Sequence, residues 1–358
     1  MASTLIATLA RITLLLTTIE IRAQLVCHDG FGDHAAGIQL ESGSNGSGGT
    51  GLDGGVGWGG FYDVNNSIKS LVRIEDRTAN PANYSNGEIT LLGGHRALRF
   101  YDVANGTHAV RRPLGTGFQA ANGNTLWFSL LFRTASGGAG NLANQDFFQI
   151  GFDDNPNASA GIPRVSIGSN TTSTTFPSPA AFFARSTTAS SGSVFYQDLQ
   201  IAAATTYLLV GRIQAHAGEY DTVSLFVNPS NSQTPGTPSA EVTLPSGLTS
   251  LSHAFIRTVG LDNGDAYVID EWHIARDYAT VVQAFGSALR ILPAPTAEHS
   301  HALRWPASLG GVVLETSLTL DPESWSEIAG PFELVDVERH YPVPIDPATT
   351  KRFFRLRR

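Results

Sequence analysis

Three polar residues in the last third of the chain have the types and spacing that acid–base chemistry needs. Asp270, Glu271 and His273 lie within the apolar stretch 266–276, which reads AYVIDEWHIAR. A carboxylate and an imidazole two residues apart in a strand share one face, where they could act as general acid and base. Alternation also predicts that this face, opposite the core, is the solvated one. We therefore interpret Glu271 and His273 as solvent-exposed, with acid–base chemistry as the less favoured alternative.

Asp270 raises a different question, because alternation places it on the same face as Trp272, which should pack into the core. A buried carboxylate is costly unless it is hydrogen-bonded, paired or bound to a metal. Asp29 shares strand parity with Phe31 near the start of the chain, and sequentially distant strands at the edge of a sandwich often lie side by side. Asp29 and Asp270 are therefore the predicted ligands of a structural Ca2+, a hard cation that binds oxygen.

The alternative for Asp270 needs no metal. Its carboxylate would accept hydrogen bonds from backbone N–H groups or pair with an arginine such as Arg99 or Arg257. Burial demands a partner without specifying which, so both interpretations stay open, and we favour the one without a metal.

Two aromatic residues are candidates for ligand binding. Trp58 and Phe61 lie in the glycine-rich segment 54–61, GGVGWGGF. The apolar face of an aromatic ring suits the C–H face of a sugar, so the pair could form a stacking platform. The competing interpretation, which we favour, is that Trp58 closes one end of the fold, because bulky aromatic residues are usually buried.

The established catalytic motifs are absent from the sequence. There is no Gly-x-Ser-x-Gly elbow, His-Glu-x-x-His zinc motif or phosphate-binding loop. A retaining glycosidase needs two carboxylates close together across a cleft. The second position after Glu271, where a second acid would stand, is occupied by His273.

The elements that must position these residues are β-strands. The chain has 358 residues, of which 37 are glycine and only 15% are charged, and this composition favours strands and turns over helices. Strong strand patterns occur at 125–133, 147–152, 206–214 and 221–228. Short strands with turn signals predict an all-β, two-sheet antiparallel sandwich. Only 278–285 has the pattern of a short helix. The net charge of -8 argues against nonspecific attraction to nucleic acid or to anionic membranes.

Several of these segments, in this order, resemble a known family. They are Gly57-Trp58, the strand at 126–129, the paired segments 209–213 and 221–229, and the stretch 269–274. They are similar to LamG-like, concanavalin A-like jelly-roll domains of secreted bacterial proteins. The resemblance covers roughly 25–282 and implies a jelly roll of two curved antiparallel sheets. It also implies glycan binding, protein interaction or, less often, polysaccharide cleavage, and fold alone does not choose among these.

The composition divides the chain into four parts. Residues 1–23 resemble a secretory signal peptide, whose apolar core is too short to span a bilayer. The jelly-roll domain is expected at 24–288, a proline-containing linker at 289–300, and a small β-sandwich at 301–358 that resembles Ig- or fibronectin III-like modules. Cys27 is the only cysteine, so the chain cannot form an internal disulfide.

The expected function follows from these observations. We expect an exported, noncatalytic binding module that recognises a carbohydrate or a cell-surface partner, without nucleic acid and without a membrane span in the mature chain. The first alternative is a polysaccharide-active hydrolase or lyase with an atypical site. The second is a structural or adhesive surface protein.

Overall fold

The structure is a computed structural model of the whole chain, and it describes most residues after 24. The described ranges are 25–32, 34–40, 52–55, 57–64, 71–101, 106–121, 123–134, 146–155, 162–170, 181–187, 192–196, 198–261, 265–283, 290–293, 299–306, 313–319, 321–335, 338–344 and 352–357. The predicted signal peptide lies outside these ranges.

The first large sheet has eight antiparallel strands. Its strands are β1 (Leu25–Asp29), β3 (Val72–Asp76), β6 (Arg96–Tyr101), β8 (Thr125–Thr134), β13 (Thr206–His216), β14 (Glu219–Val227), β15 (Ala240–Thr243) and β17 (Ala266–Ala275). Their order is β15-β14-β13-β8-β17-β6-β3, and β1 also pairs with β17. The predicted hairpin of residues 206–214 and 221–228 is present as β13 and β14.

The second large sheet has seven antiparallel strands. These are β2 (Asp63–Val64), β7 (Gly106–Gln119), β9 (Phe147–Asp153), β10 (Val165–Asn170), β11 (Ala181–Ser186), β12 (Ser193–Tyr196) and β16 (Ser250–Leu261), in the order β12-β11-β10-β9-β16-β7-β2. Alternate side chains of the two sheets meet in one core, in which Phe128 packs on Phe152 and Phe132 on Phe148. The fold is therefore the predicted all-β jelly-roll sandwich of two antiparallel sheets.

Smaller elements complete this part of the chain. A hairpin of β4 (Asn83–Ser85) and β5 (Thr90–Leu92) packs with helix α1 (Tyr278–Val281) over a second apolar cluster on the outer face of the first sheet. Asp277 caps α1 by accepting a hydrogen bond from the N–H of Thr280. This helix is the predicted one, although it ends four residues earlier than expected.

A bulge in β17 overturns the predicted division of its faces. Glu271 has φ of 48°, and the pairing of β17 with β8 shifts register between Asp270 and His273. Trp272 therefore packs in the core between the two sheets, whereas Asp270 lies opposite Leu131, which belongs to the outer apolar cluster. The prediction that Asp270 and Trp272 share the core face was wrong, because one extra residue reverses every side chain that follows it.

The bulge marks the point where β17 changes partners. One side of β17 pairs with β8 along most of its length. On the other side, residues 266–269 pair with β6 and residues 272–275 pair with β1. Two strands therefore share one edge of β17 end to end, and Asp270 and Glu271 lie at their junction.

The described residues after 289 form two smaller sheets. A four-stranded sheet has the order β18-β19-β23-β22, with β18 (Arg290–Pro293), β19 (His299–Pro306), β22 (Glu333–Val335) and β23 (Glu338–Pro344). A three-stranded sheet joins β21 (Ser326–Glu327), β20 (Val313–Ser317) and β24 (Phe353–Arg357), and Leu303, Trp305 and Leu314 form the core of this part. The segment 289–300, which was expected to be a linker, contains strand β18, and this strand pairs with β19.

None of the helices among the described residues is long and apolar enough to span a lipid bilayer.

Candidate functional site

The outer face of the second sheet carries an unusual combination of arginines, aromatic rings and glycines. Arg185 on β11 lies opposite Ser166, which in turn lies opposite Gly151. The next row along the sheet runs across β11, β10, β9 and β16 through Phe183, Gly168, Gln149 and Arg257. We call this set, together with Phe147, the arginine face. Ser166 and Gln149 lie between the two arginines, and the Phe183 ring packs over Gly168, where a Cβ would lie 2.8 Å from its Cζ.

Arg185 is a buried cation that pairs with no carboxylate in the part of the chain that the structure describes. Its exposed fraction is only 5%. Its Nε donates a hydrogen bond to Ser193 Oγ at 2.6 Å, and its guanidinium carbon lies 5.1 Å from the centre of the Phe183 ring. Burial, and then the charge of Arg257, lower the pKa of Arg185 to about 10. The energetic cost of burying this charge is therefore not offset by an acidic side chain in the described part of the chain.

Arg257 shares the same aromatic neighbour. Its guanidinium carbon lies 5.9 Å from the centre of the Phe147 ring, and that of Arg185 lies 5.3 Å from the same centre. Burial lowers the pKa of Arg257. Two cations thus converge on one ring, which provides cation–π attraction but no neutralising charge.

The neighbouring arginines of the same sheet show how this chain ordinarily buries a guanidinium. Arg112 on β7 points to the core, where it donates to Asp29 Oδ2 at 2.6 Å and to Asp53 Oδ1 at 3.2 Å. Burial lowers the pKa of Arg111, while Asp153 and Asp63 counteract that shift. Arg185 and Arg257 differ from both because no aspartate or glutamate among the described residues acts on them in this way.

Gln149 adds a polar group to the arginine face. Its side chain is fully buried, and its Nε2 donates to Ser166 Oγ at 2.5 Å and to the Pro163 carbonyl at 3.3 Å. Its Oε1 accepts no hydrogen bond from the described residues. A buried carbonyl oxygen without a donor needs an explanation, and a bound hydroxyl group would supply one.

The two predicted calcium ligands lie on opposite faces of the first sheet. Asp29 lies opposite Trp272 and faces the core, where its carboxylate accepts hydrogen bonds from Phe31 N at 2.8 Å, Tyr62 Oη at 2.7 Å and Arg112. Asp29 and Asp270 are thus not brought together on one face. Calcium at these residues stays a prediction from the sequence.

Asp270 is held by backbone donors. Its Oδ2 accepts from Gly94 N at 2.9 Å and its Oδ1 from Glu271 N at 2.8 Å. Gly94 lies two residues before β6, so Asp270 ties the segment that enters β6 to the bulge. Burial, followed by the charge of Glu271, raises the pKa of Asp270 well above its ordinary value. These contacts correspond to the predicted alternative in which Asp270 binds no metal and accepts hydrogen bonds from backbone N–H groups. Neither Arg99, which pairs with Glu75, nor Arg257 contacts it.

Trp58 and Phe61 differ in their surroundings. Trp58 is half-buried; its indole N–H donates to the His28 carbonyl at 3.2 Å, and its ring centre lies 4.9 Å from that of Trp272. Gly57, at φ of 79°, lets this segment approach β1 so closely that a Cβ there would overlap the Val26 carbonyl. Phe61 is 44% exposed. Trp58 therefore packs at the edge of the sandwich, and Phe61 is the member of the pair that is open to solvent.

The prediction that Glu271 and His273 are solvent-exposed was wrong. Glu271 is 6% exposed and His273 is fully buried. The bulge turns Glu271 toward His273 and toward His28, which lies opposite His273 on β1. Burial alone would raise the pKa of Glu271, but hydrogen bonds with His273 and His28 hold it at about 2. Burial, and then His28, lower the pKa of His273. These three residues are the set among the described residues whose geometry suits a metal ion.

Sequence reasoning missed the arginine face. The segment 181–186, AFFARS, has period-2 alternation that places Phe183 and Arg185 on one face, and this was the available signal. The convergence of Arg185 with Arg257, about 70 residues later in the chain, depends on the order of the strands. That order is not encoded in any local pattern.

Comparisons with known proteins give limited information. No protein-family model matches the sequence, and no curated protein matches it significantly. Similar solved structures include lectin II from Ulex europaeus, with 9% identity over 60% of this chain and 97% of that chain and a TM-score of 0.36. The globular domain of T. cruzi calreticulin has 10% identity over 62% and 86% of the two chains, with a TM-score of 0.38. A mutant of the alginate lyase Aly36B in complex with an alginate trisaccharide has 11% identity over 68% and 98%, with a TM-score of 0.36. These TM-scores are too low to assign a ligand or an activity to this chain.

Proposed function

We propose that this protein is a noncatalytic binding module for acidic carbohydrates, and that the arginine face is its binding site. The observation that carries the proposal is the buried Arg185, which shares the Phe147 ring with Arg257 and has no carboxylate partner among the described residues. A ligand carboxylate would supply the missing charge. Charge-assisted and bidentate hydrogen bonds between guanidinium and carboxylate are among the strongest that a side chain makes.

The other groups of the arginine face favour a sugar acid over a simple inorganic anion. The rings of Phe147 and Phe183 are stacked with their centres 5.4 Å apart, and Phe195 lies 5.7 Å from Phe183 at the half-buried edge strand β12. Aromatic rings suit the C–H faces of sugars. Gln149 Oε1 is a ready acceptor for a sugar hydroxyl. A sugar acid offers an anion, hydroxyl donors and an apolar face together.

Local sequence supports the same conclusion. The segments 135–145, 156–161, 171–180 and 188–191, which lie before and between strands β9 to β12, contain no aspartate or glutamate, and the nearest acids in the sequence include Asp146, Asp153 and Asp154. The chain as a whole has eight more acidic than basic residues. Two arginines without an acidic contact among the described residues, in a protein of net negative charge, form the electrostatic arrangement that would select an anionic ligand.

The test is a calorimetric titration with a short uronic-acid oligosaccharide and with a neutral oligosaccharide of equal length. The acidic ligand should bind, and Arg185→Met and Arg257→Met should each weaken it by about tenfold or more, as expected for one charge-assisted contact. Equal binding of both oligosaccharides by the wild-type protein, or unchanged affinity in both variants, would overturn the proposal.

The matched control is Arg212→Met. Arg212 also lies on a strand over two aromatic rings, 5.5 Å from Trp127 and 5.8 Å from Phe226, but it pairs with Glu241 at 2.9 Å. Its charge is already neutralised, and it belongs to the other sheet. This substitution should leave the affinity for the acidic oligosaccharide unchanged.

Product analysis distinguishes the noncatalytic binding module from a polysaccharide-active enzyme. Incubation with acidic and neutral polysaccharides should release neither new reducing ends nor unsaturated sugars. Release that is abolished by Glu271→Gln would replace the binding module with a hydrolase or lyase. The structural or adhesive alternative predicts association with the cell surface without a saturable ligand.

We also propose export of the protein, membership of the sandwich among LamG-like domains, and an Ig- or fibronectin III-like character for the C-terminal sheets. Support comes from the apolar N-terminal segment, the order of the matching motifs and the two small antiparallel sheets after residue 289. Fractionation of the native host would test export, because the mature protein should lack residues 1–23 and appear outside the cytoplasm.

A further inference from the structure

The bulge in β17 brings two histidines and a glutamate together on the outer face of the first sheet. His28 on β1 lies opposite His273 on β17, and their ring centres are 4.6 Å apart. The positive φ of Glu271 turns its carboxylate toward both rings. A conformation of this kind is costly for a residue other than glycine and is often found at functional sites.

The distances within this cluster match those of a tetrahedral metal site. Glu271 Oε2 lies 3.3 Å from His28 Nε2 and 3.2 Å from His273 Nε2. Zinc binds histidine nitrogen and carboxylate oxygen at about 2.0–2.2 Å, so two ligand atoms of a tetrahedral zinc lie about 3.3 Å apart. One atom from each of the three residues lies within 4.8 Å of the others. The two histidine nitrogens are thus each placed at a tetrahedral ligand separation from the same carboxylate oxygen.

The hydrogen bonds of His273 provide an independent argument. Its Nε2 faces the Glu271 carboxylate, and its Nδ1 faces the Val281 carbonyl at 3.1 Å. Both neighbours are acceptors, whereas a neutral imidazole has a single N–H to donate. A protonated imidazole would satisfy both acceptors, and so would a metal on Nε2, because Nδ1–H then donates to the carbonyl. That arrangement is the usual support of a metal-bound histidine.

Burial and local space also suit a bound ion. His28 and His273 are buried, while the Glu271 side chain retains 8% exposure, which leaves one side of the cluster near solvent. Gly30 lies beside the cluster, and a Cβ there would be 3.1 Å from Glu271 Oε1 and 3.5 Å from His28 Nε2. Glycine at this position therefore preserves room next to the carboxylate.

We propose that His28, Glu271 and His273 form a zinc site in which Glu271 supplies the carboxylate ligand and Val281 orients His273. Two imidazoles and one carboxylate form a donor set that suits zinc rather than calcium. The fourth position faces the exposed side of Glu271, where water can enter. This proposal is independent of acidic-carbohydrate binding, which uses the opposite sheet.

The experiment measures zinc binding by the full chain. The protein is stripped with EDTA, dialysed, loaded with Zn2+ and analysed for bound metal and for its melting temperature. About one zinc per chain and a raised melting temperature are expected for the wild type. His273→Gln should lower the zinc affinity at least tenfold, because it removes one of three protein ligands. The control His216→Gln should behave as the wild type, since His216 lies in an exposed pair with Asp221.

Zinc binding that is equal in the wild type and His273→Gln would overturn the proposal, as would a wild type that retains no zinc. Because His273 is fully buried, its substitution can unfold the protein. In that case the visible spectrum of Co2+-loaded wild-type protein decides: tetrahedral cobalt bands support the site, and the weak spectrum of hydrated cobalt contradicts it.

Discussion

Arg185 and Arg257 place their guanidinium carbons 5.3 Å and 5.9 Å from the centre of the same ring, that of Phe147. They come from strands β11 and β16, with β10 and β9 between them. Like charges brought together in a poorly solvated place destabilise the free protein. The unliganded fold therefore bears a cost that an anionic ligand would remove.

Arg185→Met should consequently make the unliganded protein more stable while it weakens ligand binding. Removing the buried charge is expected to raise the free energy of unfolding by about 1 kcal/mol, after allowance for the lost hydrogen bond to Ser193. Urea denaturation of the wild type and the variant measures the difference. A variant that is clearly less stable would mean that a structural partner already compensates the charge of Arg185 and that no ligand is needed to do so.

The affinity for an acidic oligosaccharide should fall as salt is added. Exposed charges are screened over about 10 Å at 0.1 M salt, and the half-buried Arg257 is the more exposed of the two cations. Titrations at low and high NaCl measure this dependence. It should be weaker in Arg257→Met than in the wild type, and an affinity independent of salt would argue that stacking alone holds the ligand.

Phe61→Ala distinguishes the two places where a sugar could bind. Phe61 is 44% exposed at the edge beside Trp58 and lies on a different part of the sandwich from the arginine face. Its substitution should change the affinity for the acidic oligosaccharide by less than about twofold, because it removes no contact from that face. A large loss, measured in the same titration, would move the binding site to the predicted Trp58–Phe61 pair.

Gly93→Ala should destabilise the junction of β6 with β17. A Cβ at Gly93 would lie 2.4 Å from the Ala82 carbonyl oxygen and 2.6 Å from Asp270 Oδ2. Overpacking of this kind costs about 1–3 kcal/mol, measurable by urea denaturation. Gly117→Ala is the control, because the nearest atom to its Cβ would be 3.7 Å away. Equal stability of both variants would show that the Asp270 junction is not tightly packed.

The contacts of Glu315 with Arg355 and Arg357 should stabilise the C-terminal sheets to an extent that depends on pH. Glu315 on β20 accepts hydrogen bonds from Arg357 Nε at 2.5 Å and Arg355 Nε at 2.7 Å on β24, and these bonds lower the pKa of Glu315. A lowered pKa in the folded state stabilises above the ordinary value of 4.5, and the stabilisation is lost as the pH falls below it. Glu315→Gln should therefore reduce the melting temperature more at pH 7 than at pH 3. If the difference in melting temperature between the wild type and Glu315→Gln is the same at both pH values, the predicted stabilisation by ionised Glu315 is contradicted.

The sheet architecture was accessible from the sequence, because strands such as β8 and β13 have long apolar patterns and clear turns between them. The junction in β17 was not accessible. Alternation assumes one uninterrupted strand, whereas β17 has a bulge at Glu271, where its pairing changes from β6 to β1. Because of that bulge, Asp270 lies on the outer face instead of the predicted core face, whereas Trp272 packs in the core as predicted.

The arginine face could be predicted only in part, for a related reason. The alternation of β11 is visible locally, but the convergence of Arg185 with Arg257 of β16 depends on the two strands between them and on Gly168, which lets the Phe183 ring pack against β10. Asp29, by contrast, faces the core as predicted. Its partner Arg112 comes from β7 and had no signal in the sequence.

The most direct test of the central claim is a crystal structure of the chain with a bound uronic-acid oligosaccharide. The proposed function predicts a sugar carboxylate within hydrogen-bonding distance of Arg185 or Arg257, with a sugar ring near Phe147 and a hydroxyl near Gln149. An oligosaccharide bound elsewhere, with the arginine face unchanged and unoccupied, would contradict it.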